Sequence, residues 1–228
     1  MIKAIFMDYT GTMVREDEPY TRELIKYFAT HSNVHDPKEI LGIVWSKVKE
    51  YESESFGDSF VGLEERTRRI LSFCAENCGF TGDMDYMLEV WRKVWVCAPL
   101  FDDVKPFFNK CNLPIYVLSN DDTRFLEESM RIKDLSPAGI ISAEMARACK
   151  PNKAIFEKAL EVSGVEPGEV VHVGDSITSD VEPARAMGIT PVYISRKAAA
   201  EVPGVRVIRS LDELTFPFRS ILRIKGNN

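Results

Sequence analysis

The stretch Ile2-Lys3-Ala4-Ile5-Phe6-Met7-Asp8-Tyr9-Thr10-Gly11-Thr12 decides how the chain is read. Residues 2–7 form a short run rich in branched and aromatic side chains, the pattern of a strand, and it ends at a carboxylate. Asp8 is thereby set at the carboxyl edge of a sheet, where ligands of parallel sheets bind. Gly11 lets the backbone turn sharply beside a ligand, and the amides of such a turn can donate to an anion. Taken alone, the same residues also fit an ordinary strand-ending Asp before a glycine turn.

Similar compact apolar runs recur at 114–118, 139–142, 169–173, 190–194 and 205–208, and amphipathic helical periodicity separates most of them. Val104 to Lys110, Thr123 to Arg131, Asn152 to Ser163 and Asp180 to Met187 each place apolar side chains on one face. Gly164 and Gly188 stand where helix C-terminal caps belong. Alternating strand and helix predicts an α/β fold, a Rossmann-like parallel sheet flanked by helices. Residues 15–97 break that rhythm with helical patterns at about 20–31, 37–50, 59–78 and 83–95 and no strand. We read them as an inserted all-helical domain, with the core formed by 1–14 and 98–228. The proline-bearing segments Arg15-Glu16-Asp17-Glu18-Pro19 and Cys97-Ala98-Pro99-Leu100 read as the hinges.

At 228 residues the chain is long enough for one full core plus an insertion. Its apolar and charged fractions, 45% and 28%, are those of a globular protein, and no stretch nears the ~18 apolar residues of a membrane span. Lys and Arg number 29 against 35 Asp and Glu, a formal charge of −6, which disfavours nucleic acid as a partner. The amino terminus lacks the apolar region of a secretory signal, so we expect a cytoplasmic protein. Its five cysteines are an odd count without zinc-site spacing and read as reduced thiols, Cys74 and Cys78 as core filler.

Three further segments bring chemistry to the same sheet edge. The run 115–118 ends at Ser119-Asn120-Asp121, a hydroxyl followed by backbone amides. Lys150 precedes Pro151, which fixes the local backbone and aims the ammonium. The run 170–173 enters Gly174-Asp175-Ser176-Ile177-Thr178-Ser179-Asp180. Its two carboxylates, with Asp8 on the neighbouring strand, form an oxygen-rich cluster of the kind that holds Mg²⁺. Each element alone has an ordinary structural explanation, but all four follow successive strands in order.

In this combination the sequence resembles the haloacid-dehalogenase-like hydrolase superfamily, at Asp8-Tyr9-Thr10-Gly11-Thr12, Ser119, Lys150 and Gly174-Asp175 through Asp180. The helical insertion lies where one subtype of that family carries its cap. The resemblance implies a hydrolase, phosphatase-like, in which Asp8 attacks phosphorus to give an aspartyl-phosphate. Mg²⁺ would be held by Asp8, Asp175 and the Thr10 carbonyl, with Asp180 in support. Ser119, Lys150 and turn amides would hold the phosphoryl oxygens. Tyr9, Gly11, Thr12 and Asn120 complete the expected substrate-binding set, and a small phosphorylated metabolite is the expected partner of a monomer or homodimer.

One position departs from the pattern. Most phosphatases of the superfamily carry an acid/base Asp two residues after the nucleophile, whereas this chain has Thr10, which cannot deliver a carboxylic proton. A good leaving group, or a carboxylate from Glu16, Asp17 or the cap, would compensate. True dehalogenases also lack that acid, but they replace the acidic residue that stands here as Asp175. Phosphonoacetaldehyde hydrolases lack it as well and use a cap lysine as a Schiff base, a role open to Lys47 or Lys49, though a solvated helix face explains both. A low-turnover protein that binds phosphorylated ligands is the non-enzymatic alternative. His31 and His35 read as solvated loop residues and His172 as a satisfied core residue. Trp45, Trp91, Trp95, Phe56 and Phe60 read as cap core or pocket lining, Glu64 to Arg69 as a solvated charged face, and Arg219 to Asn228 as a last edge strand or docking segment.

Overall fold

The computed structural model describes residues 1–16, 19–196 and 200–215. Six strands, β1 (Ala4–Met7), β2 (Ile115–Ser119), β3 (Gly139–Ser142), β4 (Val170–Gly174), β5 (Thr190–Ile194) and β6 (Arg206–Ile208), form one parallel sheet in the order β3-β2-β1-β4-β5-β6. Every residue of β1 and β4 is buried, which is why these runs, His172 apart, are apolar instead of alternating. Side chains still divide by strand period: Ile5, Met7, Val117, Val171 and Val173 pack on one face, and Ala4, Phe6, Leu118 and Val170 on the other. The winding reverses at β1, since β2 and β3 follow on one side and β4 to β6 on the other. Such a reversal opens a crevice at the carboxyl ends of the central strands.

Four helices stand in sequence between β1 and the rest of the sheet: α1 (Pro19–Thr30), α2 (Pro37–Glu54), α3 (Leu63–Cys78) and α4 (Met84–Cys97). Asp36 and Asp83 cap α2 and α4 by accepting backbone N–H bonds from their first turns. The four share an apolar cluster of their own, including Leu24, Phe28, Ile40, Leu71 and Leu88, so this layer is not an outgrowth of the sheet's core. Cys74 and Cys78 fill that cluster, and all five cysteines are free. The sheet layer is completed by α5 (Val104–Lys110), α6 (Thr123–Lys133), α7 (Ala143–Ala146), α8 (Lys153–Ser163) and α9 (Glu182–Ala186).

Three helix boundaries depart most from the sequence reading. Helix α2 runs on to Glu54, one turn past its expected end. Helix α3 begins at Leu63 because Gly57–Ser59 forms a separate 3₁₀ turn, with Gly57 N–H donating to the Arg147 carbonyl at 2.8 Å. The helix expected from Asp180 is preceded by a π-helical turn, Ile177–Val181, in which the Ser176 hydroxyl accepts from Ser179 N–H and Asp180 accepts from Ser176 N–H. Trp45 and Phe56 are exposed, while Trp95 packs with Phe125 and Trp91 at the seam between the two layers. No helix among the described residues is long and apolar enough to cross a membrane. Asp17 and the segment Arg219 to Asn228 lie outside the described residues.

Candidate active site

Strand register sets the site. Met7 pairs with Val117 on one side and Val173 on the other, so Asp8, Ser119 and Asp175 all emerge from the same edge around the reversal point. Asp8 is 6% exposed and Lys150 4% exposed, and Lys150 Nζ donates to Asp8 Oδ1 and to Asp180 Oδ1, each at 2.6 Å. Two buried carboxylates sharing one buried ammonium leave a net negative charge, and Asp175 stands beside them. Carboxylate oxygens of Asp8, Asp175 and Asp180 all lie within 4.8 Å of one another.

Electrostatics follow from that crowding. Burial pushes Asp8 above the ordinary carboxylate range against the pull of Lys150. Asp175 is pushed up to about 8, by burial first and then by the charges of Asp8, Asp180 and Glu16. Asp180 is held well below the usual range because Lys150 and His172 together outweigh its burial. Lys150, buried between two carboxylates that outweigh its own desolvation, stays firmly protonated. Asp8 Oδ2 is buried without a hydrogen-bond partner. An orphaned carboxylate oxygen beside a second carboxylate that resists ionisation is a donor set suited to a hard divalent cation.

Asp180 is the member least free to ligate. Its Oδ1 accepts from Lys150 and from His172 Nε2 at 2.9 Å, and its Oδ2 accepts from Ser176 N–H at 3.1 Å. It anchors the lysine and the loop. The tight approach has a backbone cause: a Cβ at Gly174 would meet Asp180 Cγ at 2.3 Å, and one at Gly11, which has φ +79°, would meet Asp175 Oδ2 at 2.1 Å. Gly11 is therefore the contact between the Asp8 loop and the Asp175 loop.

Other expected site residues divide. Ser119, 3% exposed, donates to Asp121 Oδ2 at 3.1 Å and accepts from Asp121 N–H. Thr12 is fully buried; its hydroxyl lies near Asp8 and opposes the upward shift there, but stays outside hydrogen-bond geometry. Thr10 bridges to Val14 in the turn and brings no acid. Two side chains differ from their expected substrate-binding place. Tyr9 is 1% exposed in the sheet's core, its hydroxyl donating to the Trp95 carbonyl at 3.1 Å and bonding Ser129, so its ring points away from the carboxylates. Asn120 accepts from Lys150 N–H at 2.6 Å and donates to the Lys150 carbonyl at 3.2 Å, so its amide positions the lysine. His172 is satisfied only at Nε2; Nδ1 is buried without a partner.

Three site-proximal residues escaped the sequence reading. Arg66, expected on a solvated face, is 3% exposed and donates to the carbonyls of Val61 and Asn120. Its i+4 relation to buried Ile70 was the available signal. Asp121, beside Ser119, is pushed up to about 7 by burial, although Ser119 and Arg66 pull the other way. Glu52 lies in the extra turn of α2 and lines a cavity of about 150 Å³ with Lys49, Ser53, Lys150, Pro151, Thr178 and Ser179. Lys47, by contrast, is paired with Glu50 and lies over the Phe73 ring. The His31 and His35 Nδ1 atoms bond the carbonyls of Tyr27 and Ala29.

A parallel sheet with carboxylates and a lysine converging at its reversal point places a candidate active site where ligands of open α/β sheets bind. The chain belongs to the haloacid dehalogenase-like hydrolases: the model of that family matches residues 2–188. Haloacid dehalogenase-like hydrolase domain-containing protein 3 of Danio rerio is 36% identical over 131 residues, covering 52% of this chain and 54% of its own. The chain spans about half the length of the curated relatives it matches. Among solved structures, a HAD phosphatase from Thermococcus onnurineus superposes with a TM-score of 0.70 at 20% identity, over 93% of this chain and 96% of that one. The L-2-haloacid dehalogenase of Xanthobacter autotrophicus gives 0.76 at 17%, over 94% and 97%. At those identities the likeness is one of fold, and it embraces two chemistries.

Proposed function

We propose that this hydrolase is a Mg²⁺-dependent phosphohydrolase of small phosphorylated metabolites, acting through a phosphorylated Asp8. The observation that carries the reading is the Asp8 carboxylate, bound at Oδ1 by Lys150, orphaned at Oδ2 and backed by Asp175. Dehalogenation needs no cation, whereas three crowded carboxylates are costly without one. Asp8 and Asp175, with the Thr10 carbonyl, would hold the ion, and Asp180 would support them. When bound, the ion offsets repulsion between the anionic nucleophile and an anionic phosphoryl group.

The chain's own residues supply the rest. Asp8 attacks phosphorus. Lys150 stays cationic at neutral pH and stabilises charge on the nucleophile and the phosphoryl oxygens, with Ser119 and the amides of the Thr10 to Thr12 turn beside it. The helical layer acts as a cap that excludes bulk water and selects the leaving group. Lys47 is held by Glu50 and the Phe73 ring, so a carbon–phosphorus reading would turn on Lys49, which lines the cavity beside Lys150. A free small molecule is the substrate, and the enzyme works as a monomer or homodimer in the cytoplasm.

A screen of phosphate esters and acyl phosphates with and without Mg²⁺ tests the proposal. We expect turnover that requires the metal and that Asp8→Asn lowers by at least ~10³-fold, the scale of losing a covalent nucleophile. Activity surviving that substitution would remove Asp8 from its role.

A further inference from the structure

Breaking an alkyl phosphate ester leaves an alkoxide, far too basic to depart at neutral pH without a proton. Around the phosphoryl position the sheet's own acids are occupied. Asp8 is the nucleophile, Asp175 stands in the cation-binding cluster, and Asp180 takes Lys150, His172 and Ser176. Asp121 is tied to Ser119 by its side chain and its backbone amide.

One acid reaches this region from the helical layer. The cavity lined by Glu52 is bounded by α2 through Lys49 and Ser53, by Lys150, and by Thr178 and Ser179 of the loop after Asp175. Among the described residues, Glu52 is the only carboxylic acid in that lining. At about 150 Å³ the space admits a group of a few atoms.

We propose that Glu52 is the proton donor to the leaving group, and that this cavity holds a small alcohol portion of the substrate. The inference rests on the phosphohydrolase reading and names the acid that reading lacks. In the first displacement an Asp8 oxygen bonds to phosphorus and the ester P–O bond breaks, its electron pair going to the leaving oxygen. That oxygen takes the Glu52 proton and departs as a neutral alcohol. In the second, a water oxygen bonds to phosphorus and gives a proton to the Glu52 carboxylate. The bond from phosphorus to Asp8 then breaks with its pair returning to Asp8, which releases inorganic phosphate and restores both carboxyl groups.

The surroundings keep Glu52 suited to the task. Burial raises its carboxyl above the ordinary Glu value, and the Asp8 charge adds to the rise. Arg66 on α3, the Asn120 amide after β2 and Lys150 pull the other way. Asp121 after β2 feels the Glu52 charge in turn, and Lys49 faces the same cavity from α2 itself.

Three small phosphates of similar size and different leaving-group basicity provide the test: acetyl, trifluoroethyl and ethyl phosphate, assayed with Mg²⁺. In Glu52→Gln we expect kcat/KM for ethyl phosphate to fall ~10²-fold or more and for acetyl phosphate less than ~tenfold, the signature of a lost acid. The alkaline limb of the ethyl phosphate kcat/KM profile disappears with it, and Glu52→Asp restores part of both. An equal fall across the series means Glu52 only supports Asn120 and Arg66, and overturns the proposal, as does no fall at all. Wild-type protein that turns over none of the three overturns the phosphohydrolase reading together with it.

Discussion

Asn120 shows how a single side chain spans the distance between two motifs. Its amide closes a two-bond clip on the backbone of Lys150, 30 residues away, while its own carbonyl takes a bond from Arg66. Lys150 is thus placed by its neighbours as much as by Pro151. Asn120→Ala removes both bonds and leaves a buried backbone amide unpaired. Because displacing a catalytic group by about 1 Å can cost ~10²-fold, we expect kcat/KM to fall by that order with the fold retained. Steady-state kinetics beside a circular dichroism spectrum checks it; a variant of normal kcat/KM would show that the lysine needs no clip.

At the scale of elements, the Asp8 loop is braced from behind by a second buried ion pair. Arg196, just after β5, donates to Asp103 Oδ2 at 2.6 Å and to the Thr12 carbonyl at 2.6 Å, and it lies over the Phe101 ring. Asp103 Oδ2 also accepts from Ser210 Oγ and Leu211 N–H. Burial disfavours the Asp103 charge, but these donors outweigh it and hold the carboxyl below its usual range. A depressed folded-state value contributes stability above the unfolded carboxylate's pKa, and that contribution is lost as pH falls through the folded value. Asp103→Asn leaves Arg196 buried without its counter-charge, at a cost of about 3 kcal/mol. Thermal melts should show this gap in full near pH 7 and show it closing as the pH drops below about 4.

The same scale shows what the sequence made legible. The strands could be read to within a residue or two, most firmly the central β1 and β4, where cover on both faces keeps the run almost wholly apolar. The four site segments were legible for a related reason: each follows such a run, and register carries them to one edge. Glu52 and Arg66 were not. Both belong to amphipathic helices whose polar side chains read as solvated, and only the docking of those helices on the β2–α6 and β3–α8 loops turns them inward. Tyr9 misled in the opposite sense, since adjacency to Asp8 says nothing about which way a strand-end side chain points.

Across the whole molecule, the helical layer meets the sheet layer along two lines of different character. Near the chain crossings, Val14 bridges to Leu100, Arg15 N–H bonds the Pro99 carbonyl at 2.9 Å and Tyr9 reaches the end of α4. These contacts are backbone-rich and partly buried. On the far side, Phe56 bridges to Ala148, Arg147 exchanges bonds with Gly57, and Glu64 pairs with Arg124 at 2.7 Å. Phe56, Arg147 and Arg124 are exposed, so the rim of this second line is wet, while Arg66, bonded to the Asn120 carbonyl, is buried behind it. We expect the layer to swing about the first line and open at the second, admitting substrate to the Glu52 cavity. Cysteines at Phe56 and Ala148, in a Cys97→Ser background that removes the one exposed native thiol, should tie that edge shut when oxidised. Turnover should then drop at least ~tenfold, as gating by a closed lid requires, and return on reduction. Equal rates in both redox states, with the crosslink verified by mass, would mean that substrate enters without the second line parting.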